Sequence, residues 1–235
     1  MTATVSTKTD ARQQCLVRVA ARALARANLV HAYGHCSMRL DAERFLVCAA
    51  RPMSLIAPLE DGTVVAVHGD LPDGVLGEVR IHQQIYRSRP DIGGIVRSMP
   101  RDVMTLSAAR VTPSPRHGMG SYFSPGVPLW DDPQLVRTEA QAAGVAQTLG
   151  TQPAVVMRGN GAVVAAPTLE QAVVLTWYLE DAARIELQLR SAGLAESGPV
   201  LSPEEALMRA VGTGRIYERM WEYLTAGDPE AAGLI

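Results

Sequence analysis

Several features that mark specialised classes of protein are scarce in this sequence of 235 residues. It has only three cysteines, Cys15, Cys36 and Cys48, which show no metal-binding spacing and cannot all pair. This pattern favours a reducing cytoplasm over an oxidising compartment. No apolar run is long enough to span a bilayer. The formal net charge of −2 is small, which gives no reason to expect binding to nucleic acid or to an anionic membrane.

The apolar content of the chain, in contrast, is ample. Apolar residues make up 47% of the sequence, which excludes an intrinsically disordered protein. The length suits one domain of ordinary size with a substantial core. Residues 1–10 are polar and rich in Thr, without the apolar centre of a signal peptide. We therefore expect a disordered tail over residues 1–10, one domain over residues 11–235 and a cytoplasmic protein.

Hydrophobic periodicity and capping signals predict an α/β fold with a central, mainly antiparallel sheet covered by helices. A helix from residue 11 to about residue 29 carries three arginines on a face that we expect to be solvated, namely Arg18, Arg22 and Arg26. Another helix is expected to begin at Asp132, with Pro133 in its first position. The last helix, residues 202–226, begins with a capping box at Ser202, and its apolar residues indicate core or subunit contacts.

One segment near the middle of the chain reads as a helix, a sharp turn and a short strand. Apolar residues recur at three- and four-residue spacing over residues 75–86, and Pro90 ends the helix. Residues 92–99 are mostly apolar and bounded by prolines, as a short buried strand would be. Glu78 therefore lies at one end of a helix and Arg97 at the end of the next strand, where functional sites tend to form.

This segment resembles the class II aldolase/adducin family, which includes sugar-phosphate aldolases and epimerases. In that family a helix opens with the catalytic Glu, and nineteen residues later a strand ends in His-x-His-Pro, which supplies two of three zinc ligands. Glu78 and Pro100 match this pattern, whereas Arg97 and Met99 stand at the two ligand positions. The third ligand corresponds to Asn160. The resemblance implies the family's fold, with helices on both sides of the sheet, but not its zinc site.

The loop Gly34-His35-Cys36-Ser37-Met38-Arg39 extends the resemblance. The family has Gly-Asn-x-Ser-x-Arg there and binds the substrate's anionic or carbonyl end with it. Gly34, Ser37 and Arg39 match, and His35 replaces the Asn. A His in this place could donate a hydrogen bond and carry a proton near neutral pH, or simply bond to the backbone. The resemblance assigns these four residues to substrate binding.

Two further segments bear on the ligand. The family's phosphate-binding turn corresponds to residues 48–54, which have lost most hydroxyl donors, so a non-phosphorylated anion is expected. Residues 112–126 are rich in Pro and Gly and form either a plain surface loop or a wall of the active site. Several arginines could make the pocket cationic: Arg39, Arg97, Arg116 and Arg158.

The first hypothesis is a metal-independent lyase-type enzyme that acts on a small anionic carbonyl compound. Glu78 would be the general acid and base, and Arg97 would supply the fixed positive charge that the metal supplies in the family. We expect the two groups on opposite sides of the substrate. His35, Arg39, His117 and Asn160 would position it. The chemistry would be carbon–carbon cleavage, decarboxylation or proton transfer next to a carbonyl.

Two alternatives remain open. The adducin branch of the family suggests a non-catalytic binding or structural protein. A divalent metal could instead be held at a relocated site by some of His35, Glu78, His82 and His117. Related aldolases are tetramers, so the resemblance also implies a homo-oligomer, possibly a tetramer.

Overall fold

The computed structural model of the protein describes residues 9–234, and helices and strands are mixed along that range. Its helices are α1 (Ala11–Arg26), α2 (Arg80–Ser88), α3 (Arg101–Ala108), α4 (Glu139–Leu149), α5 (Leu169–Ser191), α6 (Pro203–Arg209) and α7 (Ile216–Thr225). Its strands are β1 (His35–Arg39), β2 (Arg44–Val47), β3 (Thr63–Ala66), β4 (Gly94–Ser98), β5 (Leu129–Trp130), β6 (Ala154–Met157) and β7 (Ala162–Ala166).

The seven strands described form one sheet in the order β3-β2-β1-β4-β7-β6-β5. All neighbouring pairs are antiparallel except β5 and β6, which are parallel. Helices α1 and α5 cover one face, and α2 and α4 cover the other. Because side chains alternate along a strand, Val96 joins the core on the first face and Ile95 the core on the second. The predicted α/β architecture, with helices on both sides of the sheet, is confirmed.

The central unit forms as its sequence predicts. A short 3₁₀ helix, Gly77–Val79, leads into α2, and Glu78 lies in it. Helix α2 stops before Pro90, because the residue before a proline disfavours helical backbone. Strand β4 then runs between β1 and β7, and its Arg97 lies directly opposite His35 of β1. The register therefore places these two residues side by side on the face covered by α2 and α4.

The start of α4 differs from the prediction. Asp132 does not cap a helix; it accepts a hydrogen bond from Gln134 N at 2.9 Å and closes a short turn. The helix is capped instead by Thr138, which exchanges capping-box hydrogen bonds with Gln141. The residues between these two points form an extended segment with Val136 buried. A proline after an acidic residue fits a turn as well as a helix start, so the local signal was ambiguous.

The predicted solvated stripe on α1 is wrong for Arg18 and Arg22, whereas Arg26 is exposed. Arg18 and Arg22 are buried, because the C-terminal segment folds over this helix. Arg22 donates hydrogen bonds to both oxygens of Asp228, at 2.8 Å each, and Arg26 donates to Asp228 at 2.8 Å. Arg18 binds Glu230 in the same manner. We call this group, Arg18, Arg22, Arg26, Asp228 and Glu230, the terminal cluster.

The ends of the chain need two more corrections. The single helix predicted for residues 202–226 is two helices, α6 and α7, because the chain between them turns through left-handed backbone at Gly214 and Arg215. Asp10, which was assigned to the disordered tail, caps α1; residues 1–8 of that tail lie outside the described range. No helix among residues 9–234 is long and apolar enough to cross a membrane. The predicted homo-oligomer stays a prediction.

Candidate active site

A cavity of about 860 Å³ opens where β1 begins and β4 ends. Its floor comes from these two strands and the turn between β6 and β7, and its walls from the start of α2 and the segment before α4. Most of its lining is apolar. The polar and charged side chains that reach it are few: Tyr33, His35, Arg51, Glu78, Arg97, Arg137 and Asn160. Such a cavity suits a small ligand with an apolar body and a few polar groups.

Arg97 is the central charge of this cavity and is 2% exposed. Its Nε lies 2.9 Å from Glu78 Oε2, and its Nη2 donates to Asn160 Oδ1 at 2.8 Å. The distance from Nε to the carboxylate is that of an ion pair, but the Nε–H bond does not point at a carboxylate oxygen. Nε therefore lacks a well-formed hydrogen bond within the described chain. Burial lowers the pKa of Arg97, and the Glu78 carboxylate opposes that shift.

The contact between Glu78 and Arg97 corrects the expectation that the two groups flank the substrate from opposite sides. Glu78 is partly exposed and also accepts a hydrogen bond from Val136 N at 3.4 Å. The carboxylate therefore contacts both neighbours at once, Arg97 through Oε2 and Val136 N through Oε1. Because buried opposite charges attract strongly, the two groups meet directly unless a ligand separates them.

His35 lines the cavity beside Arg97 and is held from behind by buried polar residues. Its Nδ1 lies 2.9 Å from His82 Nε2, and His82 Nδ1 lies 2.6 Å from Ser37 Oγ. Ser37 Oγ is in turn 3.0 Å from the hydroxyl of Tyr86. Burial, His82 and Arg97 lower the pKa of His35 well below its ordinary value, and burial and Arg97 lower the pKa of His82 to about 3. Both imidazoles are therefore neutral near pH 7.

Ser37 and Arg39, which the family pattern assigned to substrate binding, do not reach the cavity. Ser37 is fully buried against His82. Arg39 donates to three backbone carbonyls at the end of α2, those of Tyr86, Arg89 and Ile92, at 2.7–2.9 Å. Ser37 and Arg39 share the face of β1 that carries His35 but lie farther from the start of the strand, so they sit under α2 rather than at the ligand space. Helix ends leave carbonyls that such a donor can satisfy.

Gly34, in contrast, lies at the cavity as predicted. Its φ of +151° and its surroundings both require glycine: an added Cβ would lie 2.7 Å from Val30 Cγ1 and 3.2 Å from the carbonyl oxygen of Arg97. The close approach of this loop to β4 brings His35 beside Arg97. The structure thus brings five predicted site residues together, namely Gly34, His35, Glu78, Arg97 and Asn160.

His117 and its loop do not line this cavity, so of the two alternatives for residues 112–126 the described chain favours the surface loop over the active-site wall. His117 Nε2 is 2.9 Å from Asp181 of α5, and Arg116 is paired with the buried Glu186. Tyr122 donates to the carbonyl oxygen of Val211. The loop therefore fastens α5 to the C-terminal helices. Arg158 is likewise engaged outside the cavity, with Asp131.

The donor set does not fit a zinc ion. At the three family positions, Arg97 is a permanent cation, Met99 offers a weak thioether and Asn160 an amide already engaged by Arg97. Residues 9–234 contain no group of three or more His, Cys, Asp or Glu placed to hold a metal ion. The relocated site is not assembled either, because His117 is bound to Asp181 and His82 is enclosed between His35 and Ser37.

Three cavity residues were not anticipated: Leu135, Val136 and Arg137. They belong to the extended segment that the sequence had suggested as a helix. Val136 is buried and directs its backbone N–H to Glu78, while Leu135 and Arg137 are exposed at the mouth. Recognising Thr138 and Gln141 as a capping box would have revealed a segment free to contact a ligand.

Comparison with known proteins identifies the class. The model of the Class II Aldolase and Adducin N-terminal domain matches residues 15–187, so the chain belongs to this family. Among solved structures, L-fuculose-1-phosphate aldolase from Thermus thermophilus superposes with a TM-score of 0.70 at 27% identity, covering 82% of this chain and 100% of that one. An aldolase II superfamily protein from Pseudomonas syringae has a TM-score of 0.75 at 23% identity, covering 92% and 93%, and supports the fold alone.

Two curated relatives are decarboxylases. The 3,4-dihydroxyphthalate decarboxylase of Terrabacter sp. (strain DBF63) is 28% identical over 206 residues, which cover 80% of this chain and 85% of that protein. The enzyme of the same name from Arthrobacter keyseri is 29% identical over 209 residues, covering 81% and 84%. These relatives favour an enzyme over the non-catalytic alternative.

Proposed function

We propose that the protein is a decarboxylase of small aromatic carboxylates that carry ring hydroxyls, and that it acts without a metal. The observation that carries the proposal is the content of the cavity: one carboxylate, Glu78, touches one buried cation, Arg97, within mostly apolar walls. The two relatives named for 3,4-dihydroxyphthalate support the reaction class. The residues at the family's three metal-ligand positions, Arg97, Met99 and Asn160, support a reaction that does not use a metal.

The chemistry of such a substrate explains what the site must do. In 3,4-dihydroxyphthalate each carboxylate is ortho or para to a hydroxyl. When that hydroxyl loses its proton, electron density reaches the ring carbon that bears the carboxylate, and this carbon can accept a proton. The carbon–carboxylate bond then breaks, carbon dioxide leaves, and the bonding electron pair returns to the ring and restores the phenolate. A solvent proton completes the product, so one proton is consumed per turnover.

Glu78 is the group suited to move the proton. It lies in the cavity, is partly exposed and contacts Arg97 and Val136 N through different oxygens. We assign it the removal of the hydroxyl proton and its delivery to the ring carbon. General acid–base catalysis requires a group within hydrogen-bond reach of both atoms, which a short carboxylate beside a flat ring can provide.

Arg97 is the group suited to hold the negative oxygen. Its charge is fixed and buried, and Asn160 holds its Nη2 in place. A preorganised cation in a largely apolar cavity stabilises charge on a substrate oxygen more than the same cation in water. The substrate's hydroxyl oxygen, which becomes negative as its proton leaves, competes with Glu78 for this cation and so frees the carboxylate for proton transfer. Arg137 forms no ion pair with residues 9–234 and can meet a second carboxylate at the mouth.

The direct test is the release of carbon dioxide. Purified protein is incubated with 3,4-dihydroxyphthalate and, as the matched control, with phthalate, which lacks the hydroxyls. We expect release from the first acid alone, unchanged after extensive dialysis against a chelator. Activity that disappears with the chelator and returns with zinc would overturn the metal-free part. No release from hydroxylated acids, together with cleavage of an aldol, would overturn the decarboxylase.

A further inference from the structure

Behind the cavity lies a line of four buried polar residues, two from β1 and two from α2. It runs from His35 through His82 and Ser37 to Tyr86, with contacts of 2.9, 2.6 and 3.0 Å. Each of these residues is at most 2% exposed. Only one ring nitrogen of the line, His35 Nε2, lacks a partner among the described residues. Because the Nδ1 edge of that ring faces His82, the Nε2 edge is left for a ligand.

Because both imidazoles are neutral, the protons of this line of hydrogen bonds can be placed in two ways. In the first, Tyr86 donates to Ser37 Oγ, Ser37 to His82 Nδ1, and His82 Nε2–H to His35 Nδ1. His35 then carries its proton on Nε2. In the second, every bond is reversed, Tyr86 donates to the carbonyl oxygen of Ser37 at 3.2 Å, and Nε2 is a bare acceptor. The geometry of the line accommodates both, so the ligand decides between them.

An anionic ligand selects the first arrangement, because only Nε2–H can donate to a negative oxygen. In that arrangement all bonds of the line donate toward the cavity, and hydrogen bonds that run in one direction polarise and strengthen one another. Arg97, directly opposite His35 in the sheet, provides a second donor on the same side of the cavity. A neutral donor is useful there because it stabilises the oxygen without introducing another buried charge beside Arg97.

We propose that His35 Nε2–H, together with Arg97, binds the hydroxyl oxygen next to the carboxylate that leaves, and that His82 is the positioning residue that keeps this proton on Nε2. The proposal rests on the proposed function, which supplies the hydroxylated aromatic acid. It assigns the site a preference for acids with a hydroxyl beside the carboxylate. It also assigns Ser37 a role behind the cavity, in the line that orients His82, rather than in direct substrate contact.

The first test determines, in the unsubstituted protein, which ring nitrogen of His35 and of His82 carries the proton. The protein is labelled with ¹⁵N-histidine and studied by NMR with saturating salicylate (2-hydroxybenzoate), which has the required hydroxyl and is checked to be intact at the end of the measurement. We expect both His35 and His82 as neutral Nε2–H tautomers, with signals assigned from His35→Asn and His82→Gln. A bound state with His35 as the Nδ1–H tautomer, or as an imidazolium, overturns the proposal.

The second test measures affinity by calorimetry for salicylate and for benzoate, which lacks the hydroxyl. The parent should bind salicylate at least about tenfold more tightly, as expected for a hydrogen bond that involves a charged partner. That ratio should fall about tenfold in His35→Phe and in His82→Phe, and should partly recover in His82→Gln, whose amide can still donate to His35 Nδ1. Folding of each variant is checked by thermal denaturation.

The outcomes separate this proposal from the proposed function. Equal affinity of the parent for the two acids, or no binding of either, overturns the role of His35. An unchanged ratio in folded His82→Phe overturns the role of His82. Both measurements report binding, so failure to release carbon dioxide leaves these results interpretable. Decarboxylation of hydroxylated acids together with equal affinity for salicylate and benzoate refutes the inference alone.

Discussion

Two groups of arginines and carboxylates, the terminal cluster and the Glu78–Arg97 pair, are built from the same residue types but differ in how fully their buried polar atoms are hydrogen-bonded. In the terminal cluster Arg22 binds both Asp228 and Glu230, and Arg18 binds Glu230, through several well-formed hydrogen bonds. Around the cavity, three buried polar atoms lack a hydrogen-bond partner in the described structure: Arg97 Nε, Asn160 Nδ2 and His35 Nε2.

The difference separates stability from function. Buried polar groups are normally satisfied, and an unsatisfied one costs free energy, so a cluster of unsatisfied donors around a cavity marks a place where a ligand supplies the missing acceptors. The satisfied terminal cluster holds the C-terminal segment on α1 and needs no ligand. Disrupting the cavity group should therefore affect activity, and disrupting the terminal cluster should affect stability.

The largest effect is expected for Glu78→Gln. The amide cannot take a proton, so carbon dioxide release should fall at least about 100-fold, the lower end of general acid–base contributions. Binding of salicylate, measured by calorimetry, should be retained, because Gln keeps the shape and Arg97 remains. Activity within about threefold of the parent, well below that range, would make Glu78 a structural residue.

A smaller loss of activity is expected for Arg97→Lys. Lysine keeps a positive charge but loses the planar fork that contacts Glu78 and Asn160 together, so the negative oxygen is held less well. We expect kcat to fall by about tenfold or more, less than for loss of a whole donor. The matched control is Arg137→Lys at the mouth, which should raise KM more than it lowers kcat. Equal kinetics for Arg97→Lys and the parent would remove Arg97 from the chemical step.

The terminal cluster should respond in the opposite way. Asp228→Asn removes the charged partner of Arg26 and leaves Arg22 with Glu230 alone, and breaking a buried ion pair should cost about 3 kcal/mol of unfolding free energy. Turnover at a temperature where the variant is folded should be unchanged. The control is Asp91→Asn, which removes an exposed pair with Arg89 and should cost about 1 kcal/mol or less. Equal losses in the two variants would contradict the distinction between a buried and a surface pair.

Acid should weaken the same cluster. Burial alone would raise the pKa of Asp228, but hydrogen bonds from Arg22 and Arg26 outweigh it and lower the pKa from 3.8 to about 2. A carboxylate with a lowered pKa in the folded state contributes stability above its ordinary pKa and loses it as pH falls through the folded value. Melting temperature should therefore fall between about pH 4 and about pH 2, and fall less steeply in Asp228→Asn. Parallel curves for the two proteins would exclude Asp228 as the source.

The smallest effect is expected for His117→Gln. His117 lies outside the cavity against Asp181, so activity should stay within about twofold of the parent, the range of substitutions away from functional features. The measurement is kcat/KM on the same hydroxylated acid. A loss of about 100-fold in folded protein would return His117 to the active site.

Local signals were sufficient for most of the elements. Helix α6 begins directly after Ser202, as its capping box predicts, because a cap acts within about four residues; Thr168 caps the start of α5 in the same way. The spacing of Glu78 and Arg97 also predicted that they would share a site. The same kind of local evidence failed at Asp132, where a turn and a helix start use the same residue types.

The order of helices and strands, the fold class and the loss of the family's metal ligands could all be predicted from the sequence, since periodicity, caps and residue identity are local properties. Which polar residues meet depended on the folded chain. Register set His35 against Arg97, the packing of α2 placed His82 behind His35 and turned Arg39 toward its carbonyls, and the C-terminal segment buried Arg18 and Arg22. A buried polar group takes whichever distant partner satisfies it, and that choice depends on the whole fold.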